Sequence, residues 1–228
     1  MTTTLIPTTS PVSTTARSTR TSRAWAWSGI VAGVAALASV VVSGVLTVER
    51  GLLVDNARVA EALDGKAPAV WIFQVLTTAI AIAALVFAAG LRRRLSDQEP
   101  AGSLVPALAA GGLVTVAVMS LVGGGISTEM FHTLRNVDES DPDTLAAQLA
   151  IFNTMSWVWA GIGLTAAAVG FGALRNGSAA RWIGRLSIGT AVLIGLTQIV
   201  PFQYLAMLPG ALWLIVAGAG FVREARVQ

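Results

Sequence analysis

Six long apolar stretches, with arginines clustered at alternate junctions between them, occupy most of this chain. They run over Ala24–Val48, Val70–Leu91, Leu104–Gly125, Ala150–Leu174, Ile183–Val200 and Tyr204–Val222. A bilayer core is about 30 Å thick, so a spanning helix needs roughly 20 mainly apolar residues. Lipid offers backbone N–H and C=O groups no partner, so each segment must satisfy them within itself, as a helix does. The predicted fold is therefore all-α: a polytopic membrane protein whose six transmembrane helices form a bundle. Composition agrees, since 54% of the residues are hydrophobic and 12% charged, against about 25% charged in soluble domains.

Lysine and arginine in short flanks set the orientation. Arg17, Arg20, Arg23, Arg92, Arg93, Arg94, Arg175, Arg181, Arg185, Arg223 and Arg226 fall on one side; Arg50, Arg58, Lys66 and Arg135 fall on the other. Eleven against four predicts that both termini are cytoplasmic and that the host is the plasma membrane. Nine of the twelve acids lie on the opposite, outer side. The net charge of +3 thus reads as anchoring to anionic lipid. It is not a nucleic-acid footprint. The absence of cysteine removes disulfides and thiolate metal sites. Abundant Ala and Gly, with a single lysine among the basic residues, point to a GC-rich bacterial genome.

Residues 1–23 are rich in Thr and Ser and contain no acid, which predicts a disordered cytoplasmic tail. Residues 24–223 form the transmembrane domain, and 224–228 a short cytoplasmic tail. The first apolar run is too long for the h-region of a signal peptide, so a retained first span is expected. In the first outer loop, Asp55 is placed to cap a short surface helix that Gly65 ends. In the second outer loop, Ile126–Leu149, Asp141-Pro142 is a helix start, with Asp as cap and Pro at the first position. The fourth helix is expected to run from Pro142 to Leu174. Gly123-Gly124-Gly125 is expected to end the third span. The short connection around Pro201-Phe202-Gln203 predicts a tight hairpin of the last two spans.

Small residues let helices approach in lipid. Gly29 and Gly33 on the first span, the run of Ala and Gly over 160–172, and Gly218 and Gly220 are the expected packing surfaces. Trp25, Trp27 and Trp182 at one interface, and Trp71, Trp157 and Trp159 at the other, suit aromatic belts.

Polar groups within lipid are costly, so their depth is informative. Gln74, Asn153, Ser156, Gln198 and Tyr204 all fall in the outer third of their spans, with Glu129 and His132 just beyond the third span. A shallow outward-facing cavity lined by Gln74, Asn153, Trp157, Gln198 and Tyr204, between the second, fourth and fifth helices, is the expected ligand site. The alternative is that these amides cross-link helices or reach headgroups. Glu129 and His132 have the Glu-x-x-His spacing of di-metal bundles, but this chain has one histidine and no second copy of the motif. No metal and no cofactor are therefore expected, and His132 is left as a candidate sensor of external pH. The acidic run Asp138–Asp143 lacks the spacing and glycine of a calcium loop. No lysine lies in a span for a retinal Schiff base, and no span carries the paired charges of a proton-coupled transporter.

In layout the chain resembles the bacterial six-helix membrane proteins of the "domain of unknown function 4386" family over residues 24–223. The second span ends Leu91-Arg92-Arg93-Arg94 and the fourth Leu174-Arg175. A basic loop follows with Arg181-Trp182-Ile183-Gly184, and the last span reads Leu208-Pro209-Gly210-Ala211-Leu212-Trp213. The resemblance implies no activity and no residue roles. Three functions are expected, in this order. The first is a non-enzymatic protein that binds or moves a small amphipathic molecule. The second is a structural or regulatory subunit, packed against a partner membrane protein or its own copies. The third is an enzyme acting on a lipid or isoprenoid through Glu129 or His132.

Overall fold

The computed structural model describes residues 23–200 and 202–227. The Thr/Ser-rich segment and Pro201 of the last connection lie outside the described residues. Every regular element described is helical: α1 Ala24–Val45, α2 Asn56–Leu63, α3 Ala67–Ser96, α4 Val105–Arg135, α5 Pro142–Thr154, α6 Trp159–Arg175, α7 Arg181–Ile199 and α8 Met207–Val227. Short 3-10 turns sit at Arg50–Leu52, Val137–Glu139, Met155–Val158 and Gln203–Ala206. Six helical segments are long and apolar enough to cross a membrane: α1, α3, α4, the α5–α6 pair, α7, and α8 with its preceding turn. Below, the end bearing the arginine clusters is called inner and the other outer, following the charge bias.

Helices α1, α3, α4, α6 and α8 form a ring in which α1 packs on α3 and α8, and α4 on α3 and α6. Helix α7 lies against α6 and meets the outer connection and α8. At the inner end the ring is packed solid. Trp25 stacks on Phe87 at 5.8 Å between centroids, and Phe221 closes on both rings at 5.7 and 6.5 Å. Glycine makes this possible. A side chain at Gly90 would strike Trp25, one at Gly29 would meet the Phe87 ring at 2.9 Å, and one at Gly33 would lie 2.8 Å from the Ala211 carbonyl. Helices α4 and α6 touch backbone to backbone at Gly112 and Gly161, where Thr165 Oγ1 donates across to the Ala109 carbonyl at 3.0 Å. Trp213 Nε1 donates to Ser187 Oγ at 2.9 Å, tying α8 to α7 in a fully buried site.

Two of the three inner acids serve as fasteners. Glu224 accepts from the Ala180 backbone N–H at 2.7 Å, capping α7 from another helix, and pairs with Arg94 at 3.5 Å. Glu99 accepts from Ser103 Oγ at 2.8 Å and Asn176 Nδ2 at 2.6 Å, joining the α3–α4 connection to the end of α6.

Several expectations are corrected. Helix α4 does not stop at its glycine triplet but continues to Arg135. Gly123 and Gly124 are buried facing Met155 and Thr77. Beyond them, Ile126, Met130 and Leu134 recur at helical spacing and find apolar partners. Most of the expected second outer loop is therefore helix. Helices α3 and α4 are each about 45 Å long, and α4 runs ten residues beyond its expected end at Gly125. At their outer ends they join α2 and α5 around a second apolar cluster built from Val59, Leu63, Phe73, Met130, Leu145 and Phe152. Asp55 caps α2 as expected, its Oδ1 accepting from Ala57 and Arg58 N–H. Gly65 follows with a φ of 71°. Helix α2, however, packs on α5 rather than lying alone on the membrane, and Asn56 Nδ2 donates to Asp143 Oδ1 at 2.7 Å.

The fourth span starts at Pro142 as expected, but a 3-10 turn at Met155–Val158 breaks it. The last two spans pair antiparallel as expected, Ser187 meeting Trp213 and Ile183 meeting Gly220, and their connection holds a 3-10 turn at Gln203–Ala206. Trp25 and Trp159 belong to the core, 8% and 6% exposed, whereas Trp27, Trp71, Trp157 and Trp182 face outward as belt residues should. Helix α8 runs through residues 224–227, expected to be a tail.

Candidate functional site

The ring that is solid at its inner end opens at its outer end into a cavity of about 480 Å³. The floor is Ile80, Val116, Trp159 and Leu214, from four different helices. Above it stand Phe73, Leu149 and Phe152, which also belong to the outer cluster, and the methionines Met119, Met155 and Met207. Thioether chains are unbranched and adapt to irregular surfaces. Volumes of roughly 300–1,000 Å³ with mainly apolar linings are typical of small-molecule sites.

Hydroxyls dot the wall, and most are already satisfied. Ser39, Ser43, Thr77 and Ser156 donate to the carbonyls of Ala36, Val40, Gln74 and Asn153, at 2.8 to 3.1 Å. Such back-bonding leaves little unmet polar demand on the wall. Ser120, 7% exposed, is the one buried wall hydroxyl with no donated hydrogen bond among the described residues.

The mouth is identified by exposure. Among wall residues, Gly44, Thr47, Arg50 and Leu53 on one side are exposed, as are Asn153 and Tyr204 on the other. The opening therefore lies at the outer end of α1, facing the 3-10 turns that begin at Met155 and Gln203. Helix α1 creates the gap. Its Gly29 and Gly33 press on neighbours, but Gly44 has nothing within 4 Å. Arg50 is the only charged side chain on the wall and makes no ion pair among the described residues.

Of the residues singled out from sequence, Asn153, Ser156 and Tyr204 line this cavity. Gln74, Trp157, Gln198, Glu129 and His132 do not. Gln74 is half-buried, and its backbone carbonyl accepts from Thr77 and Thr78. Trp157 is 51% exposed on the outer face. Gln198 has both amide atoms buried without a partner among the described residues. Glu129 and His132 are exposed on the outer part of α4, with no hydrogen bond between their side chains among the described residues; His132 meets Phe131 edge-on. Among the described residues no group of three or more His, Asp or Glu could hold a metal. Asp141 caps α5 and Asp143 binds Asn56, so part of the acidic run is structural.

The cavity is also displaced from its expected place. It lies among the first, second, third, fourth and sixth spans, and the fifth contributes nothing to its wall. Ser39, Ser43 and Thr47, four residues apart along the first span, were the overlooked signal. That spacing puts three hydroxyls on one helical face. Comparison with family models, curated proteins and solved structures finds no match to this chain.

Proposed function

We propose that this chain, inserted in a bacterial plasma membrane with both termini cytoplasmic, binds a small amphipathic molecule in its outer cavity. The observation that carries the reading is a volume with a buried apolar floor and a polar, exposed mouth. The mouth is open, so the space is filled by whatever can enter it, and the apolar floor favours the hydrocarbon part of a molecule over water. The apolar depth suits a hydrocarbon body, and the mouth residues Arg50, Asn153 and Tyr204 suit a polar head. The layout shared with the "domain of unknown function 4386" proteins is part of this proposal and adds no residue roles.

The test is photolabelling of the full chain in lipid nanodiscs, using an alkyl probe with a terminal diazirine. Saturable labelling of peptides containing Ile80 or Val116 is expected. Ser120→Phe, or Ser39→Leu from the opposite wall, should suppress it while leaving the labelling of lipid-facing peptides unchanged. Labelling that rises linearly with probe and ignores both fillings refutes the reading.

A further inference from the structure

We infer that the cavity selects an anionic amphiphile, a single hydrocarbon tail ending in a carboxylate or phosphate, admitted sideways between α1 and the turn before α8. The inference rests on the ligand-binding reading and adds the charge, the anchor and the route.

The charge follows from what the mouth lacks as much as from what it holds. Among the described residues no carboxylate lines the cavity, and its one ionised group is Arg50. Glu49 precedes Arg50 in the chain but is not part of the wall. Asp55 and Asp143, two other acids of the outer end, are engaged elsewhere: Asp55 caps α2 and pairs with Arg58 at 3.7 Å, and Asp143 binds Asn56, while Glu49 is exposed and makes no ion pair with Arg50. Arg50 is left with its guanidinium donors free of any ion pair among the described residues. The Asn153 carboxamide and the Tyr204 phenol add donors, and neither side chain has a hydrogen bond among the described residues. A planar guanidinium fits carboxylate and phosphate oxygens in a two-point geometry. A cationic head would meet Arg50 with no compensating acid on the wall.

The tail follows from depth. Phe73 to Ile80 on α3 and Gly123 to Val116 on α4 both run down the buried wall to the floor. Each is seven residues, or about 10 Å at 1.5 Å per residue. An extended chain advances roughly 1.2 Å per bond, as the backbone itself does, so about eight bonds reach the floor. The satisfied hydroxyls of Ser39, Ser43, Thr77 and Ser156 ask nothing of such a chain.

The route follows from the exposed rim at Gly44, where a Cβ would meet nothing within 4 Å, although Leu46 beside it is buried in the outer cluster. Exposed wall residues stand on both elements of the route, Gly44 and Thr47 on the α1 side and Tyr204 on the turn before α8. A molecule held in the outer leaflet can slide its tail between them without leaving lipid, its head travelling level with Arg50.

Competition against the diazirine probe in nanodiscs tests the inference. Decanoate, decyl phosphate, decanol and decyltrimethylammonium share one tail and differ in head. Either anion should displace the probe from the floor peptides at least about tenfold better than decanol, and the cation should be weakest. The stronger anion identifies the head as carboxylate or phosphate. Arg50→Gln should weaken the anions about tenfold, the scale of a charge-assisted hydrogen bond, and leave decanol unchanged. A bulky Gly44→Trp should slow labelling without abolishing it at equilibrium. If decanol or the cation competes as well as both anions, or Arg50→Gln changes nothing, the anionic inference is overturned while floor labelling still supports a binding cavity. If floor labelling is itself unsaturable and blind to Ser120→Phe, the cavity reading fails first and this inference with it.

Discussion

Gly111 and Gly112 are adjacent on α4, and substituting alanine at each should give effects of opposite sign. A Cβ at Gly111 meets nothing within 4 Å. A Cβ at Gly112 would collide with the Gly161 carbonyl and with Thr165 Oγ1, and would lie 2.9 Å from the Thr165 backbone nitrogen. Replacing glycine by alanine within a helix gains about 1 kcal/mol at either site, so that contribution cancels in the comparison. At Gly112 the overpacking costs about 1–3 kcal/mol, because backbone atoms cannot swing aside. Forcing α4 from α6 also stretches the bond from Thr165 to the Ala109 carbonyl. Interhelical bonds of this kind average about 0.6 kcal/mol. The two variants should therefore differ by about 2–4 kcal/mol, with Gly111→Ala slightly stabilising. The chain has no cysteine. A single Ser127→Cys, at a site with no exposure, can therefore report unfolding by its thiol-labelling rate across an SDS titration. Thr165→Val separates the terms, since it removes the hydroxyl and keeps the shape. Agreement of Gly111→Ala and Gly112→Ala within about 0.5 kcal/mol, the usual scatter of neutral surface changes, would show that α4 and α6 do not meet at this point.

Three further outcomes can be read with the same reporter or by hydrogen exchange. Ser187→Ala strands the buried Trp213 indole N–H and should cost about 1–3 kcal/mol; adding Trp213→Phe should cost less in that background than in the parent, and equal costs would mean the bond contributes nothing. Glu224→Ala removes both the acceptor for the Ala180 N–H and the partner of Arg94, so it should destabilise by about 1–3 kcal/mol, and Arg94→Gln, which leaves the mostly buried Glu224 carboxylate without its charge partner, should cost a comparable amount, with no loss at all meaning that the pair contributes nothing. Asp55→Ala should weaken α2 by about 1 kcal/mol, visible as faster exchange of amides 57–63 with no change along α4; uniform acceleration of both would contradict a local cap.

What could be read along the chain was local. The spans follow from runs of apolar residues, and the starts at Asp55 and Pro142 follow from side chains that bond the next turn. Each is decided within a few residues. The glycine triplet was misread because three glycines in a row argue for termination by propensity alone. The structure keeps the helix because Gly123 sits against Met155, thirty-two positions away, and no local rule contains that contact. The extension to Arg135 was masked by the polar residues that share it with Ile126, Met130 and Leu134. The candidate cavity shows the same division. Depth placed Asn153 and Tyr204 correctly at the outer end. Which helices stand side by side is a tertiary fact, and so Gln74 and Gln198, at similar depth, fall off the wall. Arg50 counts in the sequence only as one of four outer basic residues, and the neighbours that make it part of a mouth come from other helices.

The asymmetry of the bundle explains why a cavity forms at one end only. Lipid supplies no hydrophobic drive for helices to close on one another, so they stay together only where surfaces interlock. Along α1 the interlocking residues are Gly29, Gly33 and Ala36, all in its inner two-thirds, matched by Phe87, Ile215 and the backbone of Ala211. After Ser39 the same face carries Ser43 and Thr47, whose hydroxyls fold back on their own helix and offer a neighbour no small surface to enter. There α1 and the residues just after it keep contact only on another face, through Val42, Leu46 and Val48 in the outer cluster, while Gly44 faces open space. Helix α8 is held on its other side by Gly210 against Trp159, so it does not follow α1. Two helices fixed at one end by glycines, and engaged with different partners at the other, leave a wedge between them. A polypeptide that needed only to be a bundle could have closed this wedge by continuing the glycine and alanine pattern for two more turns. Here those turns carry hydroxyls that end at an arginine, a sequence that keeps the wedge open and gives it a charged rim.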